Sequence, residues 1–199
     1  MRKENSEIIS KIKIKTLELL MQKTPEQIGM RDIAVACGIT AANIYHYYSD
    51  KNKLFQQIGL DCLYELNSLI TKESESSKDP KQKVILAISS FRNWCFDNPK
   101  KALLVMQGIK SADDAPQEII DQYYVCNRTG MHLLEDCISK GIAKSDNPKL
   151  DIGILVSGVW GCIESVILKK ADSEYWNDGI TFTNRFIDMW INNIFGGTK

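Results

Sequence analysis

Thr40, Asn43, Tyr45 and His46 are four side chains capable of directional contacts. They fall close behind Gly38 in the stretch MRDIAVACGITAANIYHYYSDKNK, Met30 to Lys53. An asparagine amide presents a donor beside an acceptor, which matches the N6/N7 edge of adenine, and the methyls of Ala41 and Ala42 can touch thymine methyls. Thr40, Tyr45, Tyr47 and Lys51 carry groups suited to phosphate oxygens, and Lys51 stands near a helix start whose free N–H groups also favour anions. For Tyr45 and Lys51 phosphate contact is the better reading, whereas Tyr47 reads equally well as a core residue. Arg31 and the lysines of the first helix add weaker candidate contacts. This is the chemistry of reading a duplex, with A·T pairs expected at the centre of each half-site.

Two short helices must hold these groups. If Met30 opens the first, Ile33 and Cys37 lie one turn apart on one face. Gly38 supplies the positive φ of a tight turn, Ile39 sits in that turn, and Ile44 and Tyr47 share a face of the second helix. Ala34 marks the closest approach of the two helices. Thr40 can cap the second helix by accepting from the N–H of Ala42 or Asn43. The pattern is a helix-turn-helix, whose second helix is shaped for the major groove.

The chain of 199 residues is long enough for a small head on a larger body. Its zero net charge hides an asymmetry: residues 1–60 carry nine Lys/Arg against six Asp/Glu, and the remainder sixteen against nineteen. A mildly basic end on a mildly acidic body suits a DNA-reading head. Six scattered cysteines without a CxxC pair, and two histidines, assemble no zinc site and no disulfide framework. We expect no metal, no cofactor and no membrane partner. The charged start MRKENSEIIS lacks the apolar core of an export signal, so the expected location is cytoplasmic.

The fold class is expected to be all-α, since no alternating apolar runs bounded by hairpin turns occur. Apolar periodicity predicts helices at about 4–23, 51–72, 81–97, 99–110, 116–142, 149–170 and 177–195, besides the two short ones. The first carries Ile8, Ile12, Leu19 and either Thr16 or Leu20. Residues 1–50 then form the helix-turn-helix domain and 51–199 the body, with 51–72 as the connecting helix. The polar run Glu73 to Pro80 reads as a loop.

The segment Leu150 to Lys170 is apolar on nearly every side, which predicts burial on every side. At about 17 residues, with Gly153, Gly158, Gly161 and Glu164 inside, it is short for a membrane span, which needs roughly 20. Gly153, Ser157, Gly161 and Ser165 recur at steps of four and form a small-residue ridge that lets another helix approach. With Phe186 and Trp190 of the last helix, this ridge is the expected interface of a homodimer. A dimer would read half-sites ~34–36 Å apart, or a multiple.

The stretch Ile14 to Ile58 resembles the TetR family of bacterial transcriptional regulators. The residues that carry the resemblance are Leu17-Glu18-Leu19-Leu20, Met30-Arg31-Asp32-Ile33-Ala34, Cys37-Gly38-Ile39-Thr40 and Asn43-Ile44-Tyr45-His46-Tyr47-Tyr48, followed by Asp50-Lys51. They cover about a quarter of the chain. The resemblance implies about nine helices, a homodimer, repression at a palindromic operator, and a ligand pocket in the body that releases DNA when filled. Two departures stand out. Where the family usually carries a Gly-aromatic pair and then small hydroxyl residues before the second helix, this chain has Thr24-Pro-Glu-Gln-Ile-Gly29. The second helix also lacks a Lys or Arg near its start.

A pocket in the body would draw on aromatic and soft residues at helical spacing. Phe91, Trp94, Met106, Tyr123, Tyr124, Met131 and Trp160 are the candidates, with Gln107, Asn127 and Arg128 as polar companions. Each also reads singly as a bulky core residue. The expected effector is apolar or amphipathic. An enzyme is not expected, since GxSxG, HExxH, P-loop and dinucleotide fingerprints are absent from the sequence. The alternative to a repressor is an activator, or a protein-binding adaptor of the same fold.

Overall fold

The computed structural model describes residues 2–106, 116–170 and 177–196, the side chains of residues 2–4 excepted. Ten α-helices and no strand occur among the described residues. α1 (Arg2–Leu20) buries Ile12, Thr16 and Leu20, so both of the alternative stripe residues face inward. The Thr16 hydroxyl donates to the Ile12 carbonyl at 2.7 Å, which lets a polar side chain sit in that core. α1 stops at Leu20, short of the expected residue 23, and a single 3-10 turn at Pro25–Gln27 leads on.

α2 (Met30–Cys37) and α3 (Ala41–Tyr47) pack through Met30, Ile33, Ala34, Cys37 and Ile44, all buried. At the start of α2 the Asp32 carboxylate accepts from the Gly29 N–H at 2.8 Å, which holds the chain's entry to the helix. Gly38 takes φ 66°, and its N–H and that of Ile39 donate to the last carbonyls of α2. The Asn43 N–H donates to the Thr40 hydroxyl at 3.3 Å, so of the two expected partners the cap takes Asn43.

α4 (Lys51–Glu75) opens on Asp50, whose carboxylate accepts from the Lys53 N–H at 2.9 Å; that bond lowers the Asp50 pKa. It runs three residues beyond the expected end. Ser74 faces the core and donates to the Thr71 carbonyl at 2.9 Å, so the polar run is helical through Glu75 and the loop shrinks. α5 (Pro80–Asp97) follows, with Asp79 capping it through the Lys81 N–H. α6 (Pro99–Met106) is the described part of the helix expected over 99–110.

The helix expected over 116–142 is two: α7 (Gln117–Tyr123) and α8 (Val125–Ser139). Tyr124, with φ −87° and ψ 14°, leaves helical geometry and turns the chain. No glycine or proline marks this break. α9 (Pro148–Ile167) and α10 (Gly179–Phe195) complete the body, in which α4 packs against α5 and α8, and α9 against α8 and α10.

Within the single chain α9 is buried on one face. Ile152, Leu155, Val159 and Ile163 face the core, whereas Leu150, Ile154, Ser157, Gly161 and Leu168 are exposed. At 20 residues α9 is also long and apolar enough to cross a membrane by length and composition, contrary to the shorter expectation. Within the chain it is a packing helix of the body. The Trp190 indole donates to the Asp151 carbonyl at 3.1 Å, and the Phe186 ring fills the space that a Cβ on Gly158 would need.

Candidate nucleic-acid interface and body cavity

The local caps of α3 orient its exposed face. Ala42, Asn43, Tyr45 and His46 are exposed, Thr40 is exposed beside them, and Ala41 is half-buried. Ile44 is fully buried and anchors the opposite side. Arg31 on α2 points to solvent on the same head. The surface thus offers one amide, one imidazole, a hydroxyl and a phenol, with two alanine methyls between them. That combination can read a groove edge and touch phosphates.

Tyr47 and Lys51 are already engaged within the chain. The Tyr47 hydroxyl donates to the Asn5 side-chain carbonyl at 3.2 Å, and its half-buried ring meets His46 edge to face with centroids 5.2 Å apart. The Lys51 ammonium donates to the Pro25 carbonyl at 2.9 Å and lies 5.8 Å from the Phe55 ring centroid. The first turn of α4 is therefore fastened to the connection between α1 and α2. A second tie is the Lys13–Asp61 ion pair at 2.5 Å, with the Gln57 amide also donating to Asp61. Neither Asn5 nor Asp61 carries a sequence signal for such a role, because Tyr47 and Lys13 lie 42 and 48 residues from them in the chain.

Burial raises the Tyr48 phenol to about 12, helped by the nearby Asp61 carboxylate. Burial also raises the thiols of the body. Cys62 reaches about 11 and Cys126 about 12, and all six cysteines are free. Such thiols act as small apolar side chains.

The body holds a cavity of about 390 Å³ that opens to solvent. Of the sequence candidates, Phe91, Met106, Tyr123, Tyr124, Asn127 and Trp160 line it. Phe91 and Trp160 meet edge to face there, with ring centroids 4.8 Å apart. Trp94 does not line it: buried, it donates its indole N–H to Glu65 at 3.1 Å, and Lys101 also binds that carboxylate. Burial alone would raise the Glu65 pKa, but these two donors bring it below the usual carboxylate value. Arg128 donates to the Asp121 carbonyl instead, and Met131 packs against the core. Gln107 lies outside the described residues. Leu63, Val105, Cys126, Val156, Ser157 and Glu164 complete the wall and were not anticipated there. Leu63, Val105 and Val156 look like any core aliphatic in sequence. Glu164, a carboxylate inside an apolar helix, was the available signal.

Of the residues expected at a dimer interface, Ser157 and Gly161 are exposed on α9, and Gly153 and Ser165 are half-exposed; no atom would crowd a Cβ on Gly153 or Gly161. Phe186 and Trp190 instead face α9 of the same chain, through Gly158 and the Asp151 carbonyl. Ser157 both lines the cavity and lies on the exposed ridge.

Residues 15–58 match the family model described as bacterial regulatory proteins, tetR family. No curated protein sequence matches the chain. Solved structures do, across nearly its whole length. A putative tetR family transcription regulator from Shewanella sp. PV-4 superposes with a TM-score of 0.71 at 16% identity, covering 94% of this chain and 97% of that one. A TetR family transcription regulator from Marinobacter aquaeolei VT8 gives 0.72 at 13% identity, with 98% of each chain covered. The fatty acid degradation regulator FadR from Bacillus halodurans gives 0.74 at 14% identity, covering 96% and 99%. By the sequence of its helix-turn-helix and by the fold of its whole length, the chain resembles the TetR family of bacterial transcriptional regulators.

Proposed function

We propose that the chain is a ligand-responsive transcriptional regulator, a repressor that binds a palindromic operator as a homodimer and is released by a small molecule. Residues 1–50 act as the DNA-reading domain and 51–199 as the ligand-binding and dimerisation domain, with 51–72 connecting them. The observation that carries this reading is the exposed face of α3, where Thr40 caps a helix that presents Asn43 flanked by Ala42 and His46. Asn43 would read adenine, Ala41 and Ala42 would touch thymine methyls, and Thr40, Tyr45, Tyr47, Lys51 and Arg31 would hold phosphates. Tyr47 and Lys51 would exchange or share their present intramolecular partners to do so.

The unpartnered apolar residues of α9 support the homodimer, since an exposed apolar stripe beside small residues suits a second helix at close range. The cavity of the body supports the effector. Release would follow from different affinities of the effector for two arrangements of the heads, transmitted through α4. The protein would work in the cytoplasm without catalysis.

A gel shift on DNA from the chain's own promoter region, run across a salt titration, tests the reading. A discrete complex that weakens steeply with salt is the expected result. Absence of any complex at low salt would overturn it. One observation favours a second reading, an adaptor whose head binds protein: α3 presents no lysine or arginine on its exposed face. An activator of the same fold would differ in giving lower transcription when the chain is deleted.

A further inference from the structure

A second, almost wholly apolar chamber of about 50 Å³ shares part of the large cavity's wall: Phe91, Cys126 and Val156 line both. The rest of the smaller chamber is made of aliphatic side chains and Gly130, including Ile70, Val84, Ala87 and Ile152. No polar side chain lines it. Such a space favours methylenes over water, because a buried water needs polar partners. The Phe91 ring belongs to the wall that the two chambers share, and Trp160 of the larger one meets it edge to face. One elongated molecule would place its tail behind Phe91 and its polar end in front of it.

The front chamber sets the charge of that polar end. Its polar wall is Tyr123, Tyr124, Asn127, Ser157 and Glu164, and among the described residues that line it Glu164 alone carries charge. An anionic head would face this carboxylate, and none of the described lining residues is a cation. A cationic head would meet the carboxylate beside the Trp160 and Phe91 rings, and an aromatic ring attracts a cation through its quadrupole. Glu164 is now paired with Lys170 at 2.8 Å, but both side chains are well exposed. A pair of that kind contributes little and exchanges readily. From this geometry we infer that the effector is a lipophilic cation: a single positively charged head in the Glu164–Trp160 chamber and an unbranched apolar tail passing Phe91. The inference rests on the reading of the cavity as an effector site, and names the chemistry that site selects.

Calorimetric titration of the full chain with decyltrimethylammonium and with decanoate, both below their micelle concentrations, tests it. The two share a similar tail and differ in head charge. The cation should bind about tenfold more tightly. Glu164→Gln should close most of that gap. Lengthening the tail from octyl to decyl should raise affinity by about two- to fourfold per methylene, and Gly130→Leu, which fills the rear chamber, should abolish that gain. If Gly130→Leu does not fold, Ala87→Leu fills the same chamber from another helix. Decanoate binding as tightly as the cation would overturn the inference, as would cation affinity indifferent to both Glu164→Gln and the filled chamber. Operator affinity is measured separately. Cation binding that leaves operator affinity unchanged would remove the regulatory reading while keeping the ligand class. Release by decanoate alone would keep the regulatory reading and remove the ligand class.

Discussion

The Tyr123 hydroxyl is buried against Gly59, 3.3 Å from where a Cβ at that position would stand, and no group among the described residues accepts from or donates to it. Tyr123 belongs to the cavity wall and Gly59 to α4, so this contact joins the cavity to the connecting helix. An unanswered buried hydroxyl costs about 1–3 kcal/mol. Tyr123→Phe should therefore raise stability by about 1 kcal/mol, read from the urea midpoint. Loss of stability would mean that the hydroxyl has a partner in solution. Gly59→Ala should press on the same ring and change effector affinity without touching the effector.

Asn43 and Thr40 separate reading from folding. Asn43→Ala should leave stability nearly unchanged and relax preference at one base pair, with discrimination falling by about 1–3 kcal/mol. Thr40→Ala removes the α3 cap and should cost about 1 kcal/mol of stability. Binding assays on operator variants, paired with thermal melts, distinguish the two. Unchanged operator preference in Asn43→Ala would sink the readout.

Lys51 should show both effects at once. Its ammonium is bound to the Pro25 carbonyl and lies over Phe55. Lys51→Ala should lower stability by about 1 kcal/mol, weaken all DNA sequences alike, and reduce the salt slope by about one. Stability unaffected by the substitution would show the intramolecular bond to be idle.

Two glycines on α9 should behave oppositely. Any side chain at Gly158 collides with the Phe186 ring, so Gly158→Leu should destabilise the chain by about 3 kcal/mol or more. Gly161 faces open space, and Gly161→Leu should leave the melting temperature nearly unchanged while blocking self-association. Sedimentation velocity reads the second result. A stable monomer unaffected by Gly161→Leu would remove the α9 interface.

Alkali should unfold the chain early. The unfolded thiol titrates at 9.0 and the unfolded phenol at 10.0, whereas in the fold burial holds Cys62 up to about 11 and Cys126, Tyr48 and Tyr123 up to about 12. Above pH 9 the unfolded chain releases protons that the folded chain still keeps, so stability falls with rising pH. It should be full below pH 9 and decline through the interval up to about 12, seen as a shrinking urea midpoint. A midpoint flat across that range would mean that these groups are accessible.

The head was legible in the sequence because its signals are local. Gly38, Thr40 and Asp50 each act on partners within a few residues, and Ile33, Cys37 and Ile44 close a core within one short stretch. The body was legible only as helices. Periodicity reports that α9 is apolar all round but not which neighbours reach it, so burial of Ile152 and exposure of Ile154 could not be told apart. The break at Tyr124 carries no glycine or proline. The pattern that suggests an interface at Phe186 and Trp190 carries no sign of their contacts with Gly158 and the Asp151 carbonyl of the same chain. Trp94 looked like pocket lining because its carboxylate partner, Glu65, stands 29 residues away.

The seating of Phe186 on Gly158 has a mechanical consequence. It braces α9 from behind, so the side of the cavity built from Val156, Ser157, Trp160 and Glu164 is the stiff side. Another part of its wall comes from α6 and α7, helices of eight and seven residues, and α7 buries none of its residues fully. A guest larger than the resting space would thus push outward against the weaker panel. Tyr123 is the end of that panel, and the displacement would leave the cavity along its ring. The body works in this respect as a bellows with one fixed plate.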